Sequence, residues 1–154
     1  MTPGTQSILV VDDEKNIRRT LRMVLETEGY EVTEAETAEQ ALGILEAEPV
    51  DLGIFDVRLP GMDGLTLLSK ARDLWRDLPV IVISGHAETP DVVEAMKRGA
   101  LDFFSMPVDR ERVVVSVRNA LSRRSLEERV RDLSDAVEWH DGVERASETL
   151  QALH

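Results

Sequence analysis

The amino-acid sequence predicts an α/β protein with a doubly wound parallel sheet of five strands, helices on both faces and an extended C-terminal helix. Three observations predict this architecture. Short apolar segments alternate five times with segments whose apolar residues recur at helical spacing. The apolar segments are nearly continuous, which is typical of parallel strands buried on both faces. The chain has 154 residues, of which 42% are hydrophobic and 31% charged, so it can bury the core of one globular domain.

The five apolar segments are predicted to be strands because they are too short for helices and rich in β-branched and aromatic residues. The third segment is the centre of the pattern. Asp56 leaves the sheet at its end, and Pro60, Gly61 and Gly64 then break the backbone into a turn. In chain order, the predicted strands are Ser7–Val11, Tyr30–Ala35, Leu52–Phe55, Pro79–Ile83 and Leu101–Phe104.

Five helices are predicted from apolar spacing and from capping residues. Thr37-Ala-Glu-Gln40 fits a capping box at the start of the second helix. The fourth helix is predicted to begin with Thr89 as N-cap and Pro90 at the first helical position, and to end before Gly99. Asp109 is predicted to cap the last helix. The apolar residues of the first three helices are Ile17, Leu21, Val24 and Leu25 before Gly29, then Ala38, Ala41, Leu42 and Leu45, then Leu65, Leu68, Ala71, Leu74 and Trp75.

Polar side chains are expected to meet at one edge of this sheet. Right-handed crossovers leave few topologies, and the flavodoxin-like strand order 2-1-3-4-5 places the first and third strands side by side. Ligands bind beyond the carboxyl ends of the strands at this point. The crevice there is expected to be lined by Asp12 and Asp13 after the first strand, Asp56 after the third, Ser84 after the fourth and Met106 near the fifth.

Three converging carboxylates need a counter-charge. At ~5 Å and an effective dielectric constant near 20, each pair repels by about 3 kcal/mol, so either protons or a cation must join them. Mg²⁺ suits this set because it binds one or two carboxylates together with phosphate oxygens. With the Ser84 hydroxyl nearby, Asp56 is suited to accept a phosphoryl group as an acyl phosphate. Taken singly, Asp12 or Asp13 would only cap the following helix, and Ser84 would be an ordinary turn residue.

The composition excludes several classes of function. The chain has 18 basic and 30 acidic residues and a net charge of -12, which argues against a nucleic-acid-binding surface. It has no cysteine, so disulfides and thiolate metal sites are excluded. The first residues lack a signal-peptide pattern and no apolar run approaches ~18 residues, so we expect a cytoplasmic protein without membrane contact.

Four segments together resemble the CheY-like receiver domain of two-component response regulators, from about Gln6 to Leu121. They are Ile8–Glu14, Phe55–Gly64, Pro79–Ser84 and Gly99–Pro107. The resemblance implies that Asp56 takes a phosphoryl group from the phosphohistidine of a sensor histidine kinase. It also implies that Asp13, Asp56 and the backbone carbonyl of Arg58 bind Mg²⁺, with Asp12 helping through water.

The resemblance also implies roles for residues around these ligands. Ser84 would be the switch hydroxyl, and Phe103 the aromatic side chain that turns inward when Ser84 moves. Arg58 and His86 occupy the two positions that tune hydrolysis of the acyl phosphate, although an exposed loop histidine explains His86 equally well. Phosphorylation would change the face formed by the fourth helix, the fifth strand and the last helix, or the dimer state.

One departure from the family pattern lies at Met106, which stands before Pro107 where the family has a lysine. Methionine carries no charge and donates no hydrogen bond. A charge-assisted hydrogen bond is worth about 1.5–3 kcal/mol, so its loss would shift the on/off balance by roughly 10- to 150-fold. We expect that Asp56 is still phosphorylated while the switch is weakened. The family also suggests a cis peptide bond between Met106 and Pro107.

Beyond a receiver domain of residues 1–121, residues 122–154 are predicted to be a helical linker. No glycine or proline interrupts the helical pattern between Asp109 and Asp141, and Gly142 then breaks it. Apolar residues at alternating a and d spacing predict a coiled coil and a homodimer; they are Leu126, Val130, Leu133 and Val137. The arginines there alternate with acidic residues, which favours a solvated helix face over nucleic-acid contact.

This layout resembles the receiver and linker of sigma-54 transcription activators that carry an ATPase domain. The chain contains no Gly-x4-Gly-Lys-Ser/Thr loop and no predicted pair of DNA-reading helices. The sequence therefore predicts either a fragment cut before its output domain or a stand-alone regulator.

Two other classes of function remain open at this point. Phosphatases of the haloacid dehalogenase type phosphorylate a strand-end aspartate on a related fold, but they need a second aspartate where this chain has Arg58, and a cap domain for which there is no room. A phosphorylation-independent pseudo-receiver, acting as a protein-interaction module, is the stronger alternative because of Met106.

Overall fold

The computed structural model describes residues 5–85, 89–107 and 109–123, which form a five-stranded parallel sheet and five helices. The strands are β1 Ser7–Val11, β2 Glu31–Ala35, β3 Leu52–Asp56, β4 Val80–Ser84 and β5 Asp102–Ser105. The helices are α1 Lys15–Thr27, α2 Ala38–Ala47, α3 Gly64–Leu74, α4 Thr89–Lys97 and α5, residues 110–123. The strand order is β2-β1-β3-β4-β5, which confirms the predicted doubly wound topology.

The core lies in two layers, one on each face of the sheet. Successive side chains of a strand point to opposite faces, so Val11, Phe55 and Val82 pack with residues of α2, α3 and α4. Their neighbours Val10 and Ile54 pack instead with residues of α1 and α5. Because helices cover both faces, the strands need apolar residues at nearly every position, which explains their continuous apolar sequence.

Side-chain caps fix several helix ends close to the predicted positions. The Thr37 hydroxyl accepts a hydrogen bond from the Gln40 N–H at 3.1 Å, whereas the Gln40 side chain accepts from the N–H of Glu36. The Asp109 carboxylate accepts from the Glu111 N–H at 3.1 Å, at the start of α5. Gly99, after α4, has a φ of 99°, a conformation that glycine adopts without a Cβ penalty.

Helix α3 departs most from the sequence prediction. Its N-cap is Asp63, whose carboxylate accepts from the Thr66 N–H at 2.8 Å, so Gly64 belongs to the helix rather than to the preceding turn. Leu67 faces the core, whereas Leu74 is 43% exposed. Trp75 is the C-cap and not a helical residue. Helix α4 also includes Thr89, which was predicted to precede it.

The Met106–Pro107 peptide bond is cis. The described residues up to Leu121 form one compact unit. The predicted coiled coil and its interruption near Gly142 lie outside the described residues, so they stay predictions. Within the described part of the chain, no helix combines the length and the apolar character that a membrane span requires.

Candidate functional site

Strand pairing brings the acidic residues together. Val11 of β1 pairs with Phe55 of β3, so the residues that follow them lie side by side: Asp12 just past the end of β1, and Asp56 as the last residue of β3. One carboxylate oxygen from each of Asp12, Asp13 and Asp56 lies within 4.8 Å of the other two. The structure therefore forms the acidic cluster that the sequence predicts, at the carboxyl edge of the sheet.

The three carboxylates differ in exposure, and burial perturbs two of them. Asp12 is 1% exposed, Asp56 is half-buried and Asp13 is exposed. Burial raises the pKa of Asp12 to about 7; a hydrogen bond from the Glu14 N–H opposes this, and the charges of Asp56 and Asp13 add to it.

Burial likewise raises the pKa of Asp56 to about 6. A hydrogen bond from the Arg58 N–H, 3.2 Å from the Asp56 Oδ1, opposes the shift, while the charge of Asp13 adds to it. A proton is therefore held more tightly at Asp12 and Asp56 than at an ordinary carboxylate, and a cation that binds these carboxylates would have to displace it.

The donor set fits Mg²⁺. All three donors are carboxylate oxygens, the ligand type that this ion prefers. Oxygens at neighbouring positions of an Mg²⁺ octahedron, each ~2.1 Å from the ion, lie about 3.0 Å apart, so carboxylate oxygens within 4.8 Å of one another need to close by less than ~2 Å. The exposed position of Asp13 leaves room for the water ligands that Mg²⁺ usually keeps.

Helix α3 lies directly against the residue that leaves β3. The Gly64 N–H donates to the Val57 carbonyl at 2.8 Å. A Cβ at Gly64 would lie 1.8 Å from the backbone oxygen of Asp56. The sequence analysis assigned Gly64 to a turn, but its function here is to allow a helix to approach the site backbone.

Ser84 and Phe103 lie on the same face of neighbouring strands. Ser84 pairs with Ser105, and Phe103 precedes Ser105 by two residues, so both side chains point to the side of the sheet that carries α3 and α4. Ser84 is fully buried, whereas Phe103 is half-buried against the core. The register therefore places them one diagonal step apart, and their roles as switch residues stay predictions.

Of the three other predicted residues, the structure describes Arg58 and Met106. The guanidinium of Arg58 turns towards α4, where Nη2 lies 3.5 Å from the Asp91 carboxylate. Met106 is half-buried and, with residues of α1 and α5, lines a cavity of about 210 Å³ that includes Ile17 and Arg110. His86 lies outside the described residues. The role of the Arg58 carbonyl as a metal ligand stays a prediction, as do the roles of Arg58 and His86 in tuning hydrolysis of the acyl phosphate.

Arg18 is a site residue that the sequence analysis missed. It is 6% exposed, and its Nη1 donates to the backbone oxygen of Asp12 at 2.7 Å. The sequence spacing could have revealed this residue. Arg18 precedes Leu21 by three residues and Leu25 by seven, so it lies on the buried face of α1. A charged residue on that face requires a buried partner.

Comparison with known proteins identifies the family. Residues 8–118 match the family described as response regulator receiver domain. This chain belongs to the response regulator receiver domain family. Receiver domains bind Mg²⁺ at an acidic pocket, and response regulators receive their phosphoryl group from sensor histidine kinases.

The relatives of this receiver domain include transcriptional regulators. It is 38% identical over 132 residues to the C4-dicarboxylate transport transcriptional regulatory protein DctD of Rhizobium meliloti, covering 86% of this chain and 29% of that protein. It is also 38% identical to the nitrogen assimilation regulatory protein NtrX of Azorhizobium caulinodans, covering 91% of this chain and 31% of the relative. The chain thus spans about three tenths of these curated relatives.

A solved structure shares the fold over nearly its own whole length. The CheY-like receiver domain protein of Methanospirillum hungatei superimposes with a TM-score of 0.78 at 33% identity, over 80% of this chain and 99% of that one. The family expected from the sequence motifs is therefore confirmed.

Proposed function

We propose that Asp56 is the phosphoacceptor of this receiver domain and takes its phosphoryl group from a sensor histidine kinase. The observation that carries this proposal is the cluster of Asp12, Asp13 and Asp56, within 4.8 Å of one another beyond the ends of β1 and β3. It supports a divalent cation beside Asp56, the residue of the three that lies at the end of the central strand.

The transfer follows from the chemistry of the site. An ionised Asp56 oxygen attacks the phosphorus of the donor phosphohistidine; a P–O bond forms, the P–N bond breaks, and the imidazole nitrogen keeps the electron pair and takes up a proton. Asp12, Asp13, Asp56 and the Arg58 carbonyl would hold Mg²⁺, which supplies positive charge against the phosphoryl oxygens when it is bound. The domain is thus a phosphoacceptor that assists its own phosphorylation and dephosphorylation rather than an enzyme acting on other substrates.

The response to phosphorylation depends on Ser84, Phe103 and the α4-β5-α5 face. We infer that the Ser84 hydroxyl would donate to the phosphoryl group and that Phe103 would follow it inward. Met106 offers no ammonium at the position where the family has lysine, so the active state gains one charge-assisted hydrogen bond less. The switch is therefore weakened, although the carboxylate cluster does not depend on Met106.

The output is proposed from the relatives alone. DctD is named as a transcriptional regulatory protein and NtrX as a nitrogen assimilation regulatory protein, which supports a receiver that controls transcription. The predicted linker and coiled coil of residues 122–154 support a regulator of the sigma-54-activator type that forms a homodimer through these residues and the α4-β5-α5 face.

Labelling with a small phosphodonor tests the proposal. The full chain is incubated with Mg²⁺ and acetyl phosphate, and the phosphorylated fraction is measured by intact mass. We expect near-stoichiometric labelling that is lost in Asp56→Asn and in EDTA, while Asp73→Asn, a change at an exposed residue of α3, leaves it unchanged.

Other outcomes would support other functions. A folded wild-type chain that takes up no label would favour the phosphorylation-independent interaction module, for which Met106 is the supporting observation. Turnover of unrelated phosphate esters would instead favour the phosphatase class.

A further inference from the structure

We propose that Arg18 is a positioning residue for the metal site: it fixes the peptide between Asp12 and Asp13 so that both carboxylates converge with that of Asp56. The inference rests on the proposed function, because it concerns the affinity of the same carboxylate cluster for Mg²⁺. Arg18 lies in the first turns of α1 and would not itself touch the ion.

The loop after β1 is held from both sides of Asp12. The Asp12 N–H donates to the Ala35 carbonyl of the neighbouring β2 at 3.2 Å. The Asp12 carbonyl accepts from Arg18 Nη1 at 2.7 Å, inside the protein. Since a peptide unit is planar, a fixed carbonyl oxygen at Asp12 also fixes the direction in which the chain enters Asp13. The Asp12 side chain is held separately by the Glu14 N–H.

The charge of Arg18 is compensated elsewhere. Its Nε lies 3.2 Å from Glu34 and its Nη2 lies 3.4 Å from Glu36. Burial raises the pKa of the Glu34 carboxyl, but hydrogen bonds from Arg22 and Arg18 outweigh this effect and hold it below its ordinary value, so the acid is charged at neutral pH. What Arg18 gives to Asp12 is therefore a directed hydrogen bond. A planar guanidinium can serve three acceptors at once, which a lysine ammonium on a flexible stem does less well.

The chain offers a matched control one turn along the same helix. Arg22 pairs with the same acid, with Nη1 2.7 Å from Glu34, and is exposed to solvent. It makes no described contact with the loop after β1. Arg18→Met and Arg22→Met each remove one positive charge from α1 and one partner from Glu34. Each also removes a partner from a second acid, Glu36 for Arg18 and Glu26 for Arg22, and only the first removes the bond to Asp12.

Mg²⁺ titrations of the full chain test the inference. The apparent dissociation constant is read from the amide ¹H–¹⁵N shifts of Asp13 and Glu14 as Mg²⁺ alone is added. In Arg18→Met we expect it to rise by about 10- to 100-fold, the usual effect of losing a residue that orients a metal ligand. In Arg22→Met it is expected to stay close to the wild-type value, and Arg18→Lys is expected to lie between the two.

A merely structural role would predict a different pattern. Val117→Ala opens a cavity in the core on α5, away from the loop, and lowers stability without touching the metal ligands. If Val117→Ala weakens Mg²⁺ binding as much as Arg18→Met does, or if folded Arg18→Met binds Mg²⁺ like wild type, the inference is overturned. Should Arg18→Met fail to fold, Arg18→Lys decides: wild-type affinity overturns the inference, weaker affinity supports it. A wild-type chain that does not respond to Mg²⁺ contradicts the proposed function itself.

Discussion

Gly64 is the residue at which α3 lies against the backbone of Asp56, the proposed phosphoacceptor. A Cβ there would lie 1.8 Å from the Asp56 backbone oxygen, too close to be relieved by a side-chain rotation. In Gly64→Ala, α3 or the end of β3 has to move, so we expect a loss of about 1–3 kcal/mol in the free energy of unfolding and slower labelling by acetyl phosphate. Urea unfolding and the labelling rate measure the two effects.

Gly43 provides the control for this prediction. It lies within α2, and a Cβ there would meet no atom within 4 Å. Gly43→Ala is therefore expected to stabilise the protein by about 0.5–1 kcal/mol, because alanine favours the helix, and to leave labelling unchanged. Equal effects at both glycines would mean that the approach of α3 to Asp56 is not needed.

Met106 is the residue at which, from the resemblance of the sequence to the family, we expect a departure from the usual lysine. It is half-buried and lines the cavity between α1 and α5 together with Ile17 and Leu21. In Met106→Lys we expect a larger active fraction after phosphorylation, by roughly 10- to 150-fold in the on/off equilibrium constant, because an ammonium can pair with the phosphoryl group. Sedimentation of the phosphorylated chain reports the accompanying dimer. Met106→Leu keeps an apolar side chain, so it should behave as wild type. If the leucine and lysine variants have the same active fraction after phosphorylation, the proposal of a weakened switch is contradicted.

At the scale of single elements, the start of α2 depends on one hydroxyl. The Thr37 side chain accepts from the Gln40 N–H, and the first turn of a helix otherwise leaves such groups unpaired. We expect Thr37→Ala to lower the free energy of unfolding by about 1 kcal/mol. Thr37→Ser keeps the capping hydroxyl, so its free energy of unfolding should stay close to that of wild type. Thermal or urea unfolding measures the difference, and acetyl phosphate labelling should be the same in both variants. A Thr37→Ala protein as stable as wild type would show that tertiary packing alone fixes the end of α2.

The same elements show which parts of the fold the sequence predicts. Strands and caps such as Asp109 follow local rules, so their positions agree with the structure to within a residue or two. Helix α3 was predicted less well, because spacing alone does not say that Leu67 is buried while Leu74 is exposed. The face that a helix buries is decided by the sheet beneath it, which short-range spacing does not describe.

In the candidate site, the sequence predicts the features that follow from the strand order of the sheet. Asp12, Asp13 and Asp56 converge because parallel strands end at one edge. The bond from Arg18 to the Asp12 carbonyl was not predicted, because it requires knowing that β2 brings Glu34 beside α1. The role of Gly64 was missed for a similar reason. A close approach between two backbone segments depends on the tertiary structure, whereas a glycine in a sequence most often suggests a turn.

At the scale of the whole molecule, the acidic cluster couples stability to pH. The folded chain holds protons at Asp12, with a pKa of about 7, and at Asp56, with a pKa of about 6, whereas the unfolded chain releases them near the ordinary value of 3.8. Between these values the folded state binds more protons, so its stability falls as the pH rises. Without metal we expect the free energy of unfolding to fall by about 1–2 kcal/mol between about pH 5 and pH 7.5. One pKa unit corresponds to about 1.4 kcal/mol, and screening by solvent reduces the effect of the charges.

Urea unfolding at several pH values, with and without Mg²⁺, measures this coupling. Mg²⁺ binds the deprotonated ligands of the folded state alone, so a saturating concentration should raise stability most at the upper end of the range and flatten or reverse the decline. Asp12→Asn removes one of the two titrations and should be more stable than wild type at neutral pH without metal, yet gain less from Mg²⁺. All other titratable groups are the same in the two proteins, so the difference between wild type and Asp12→Asn isolates the cluster. If the metal-free curves of the two proteins run parallel, burial and the neighbouring charges do not raise the pKa of Asp12 in the folded state, and the electrostatic reason for a cation at this site is lost.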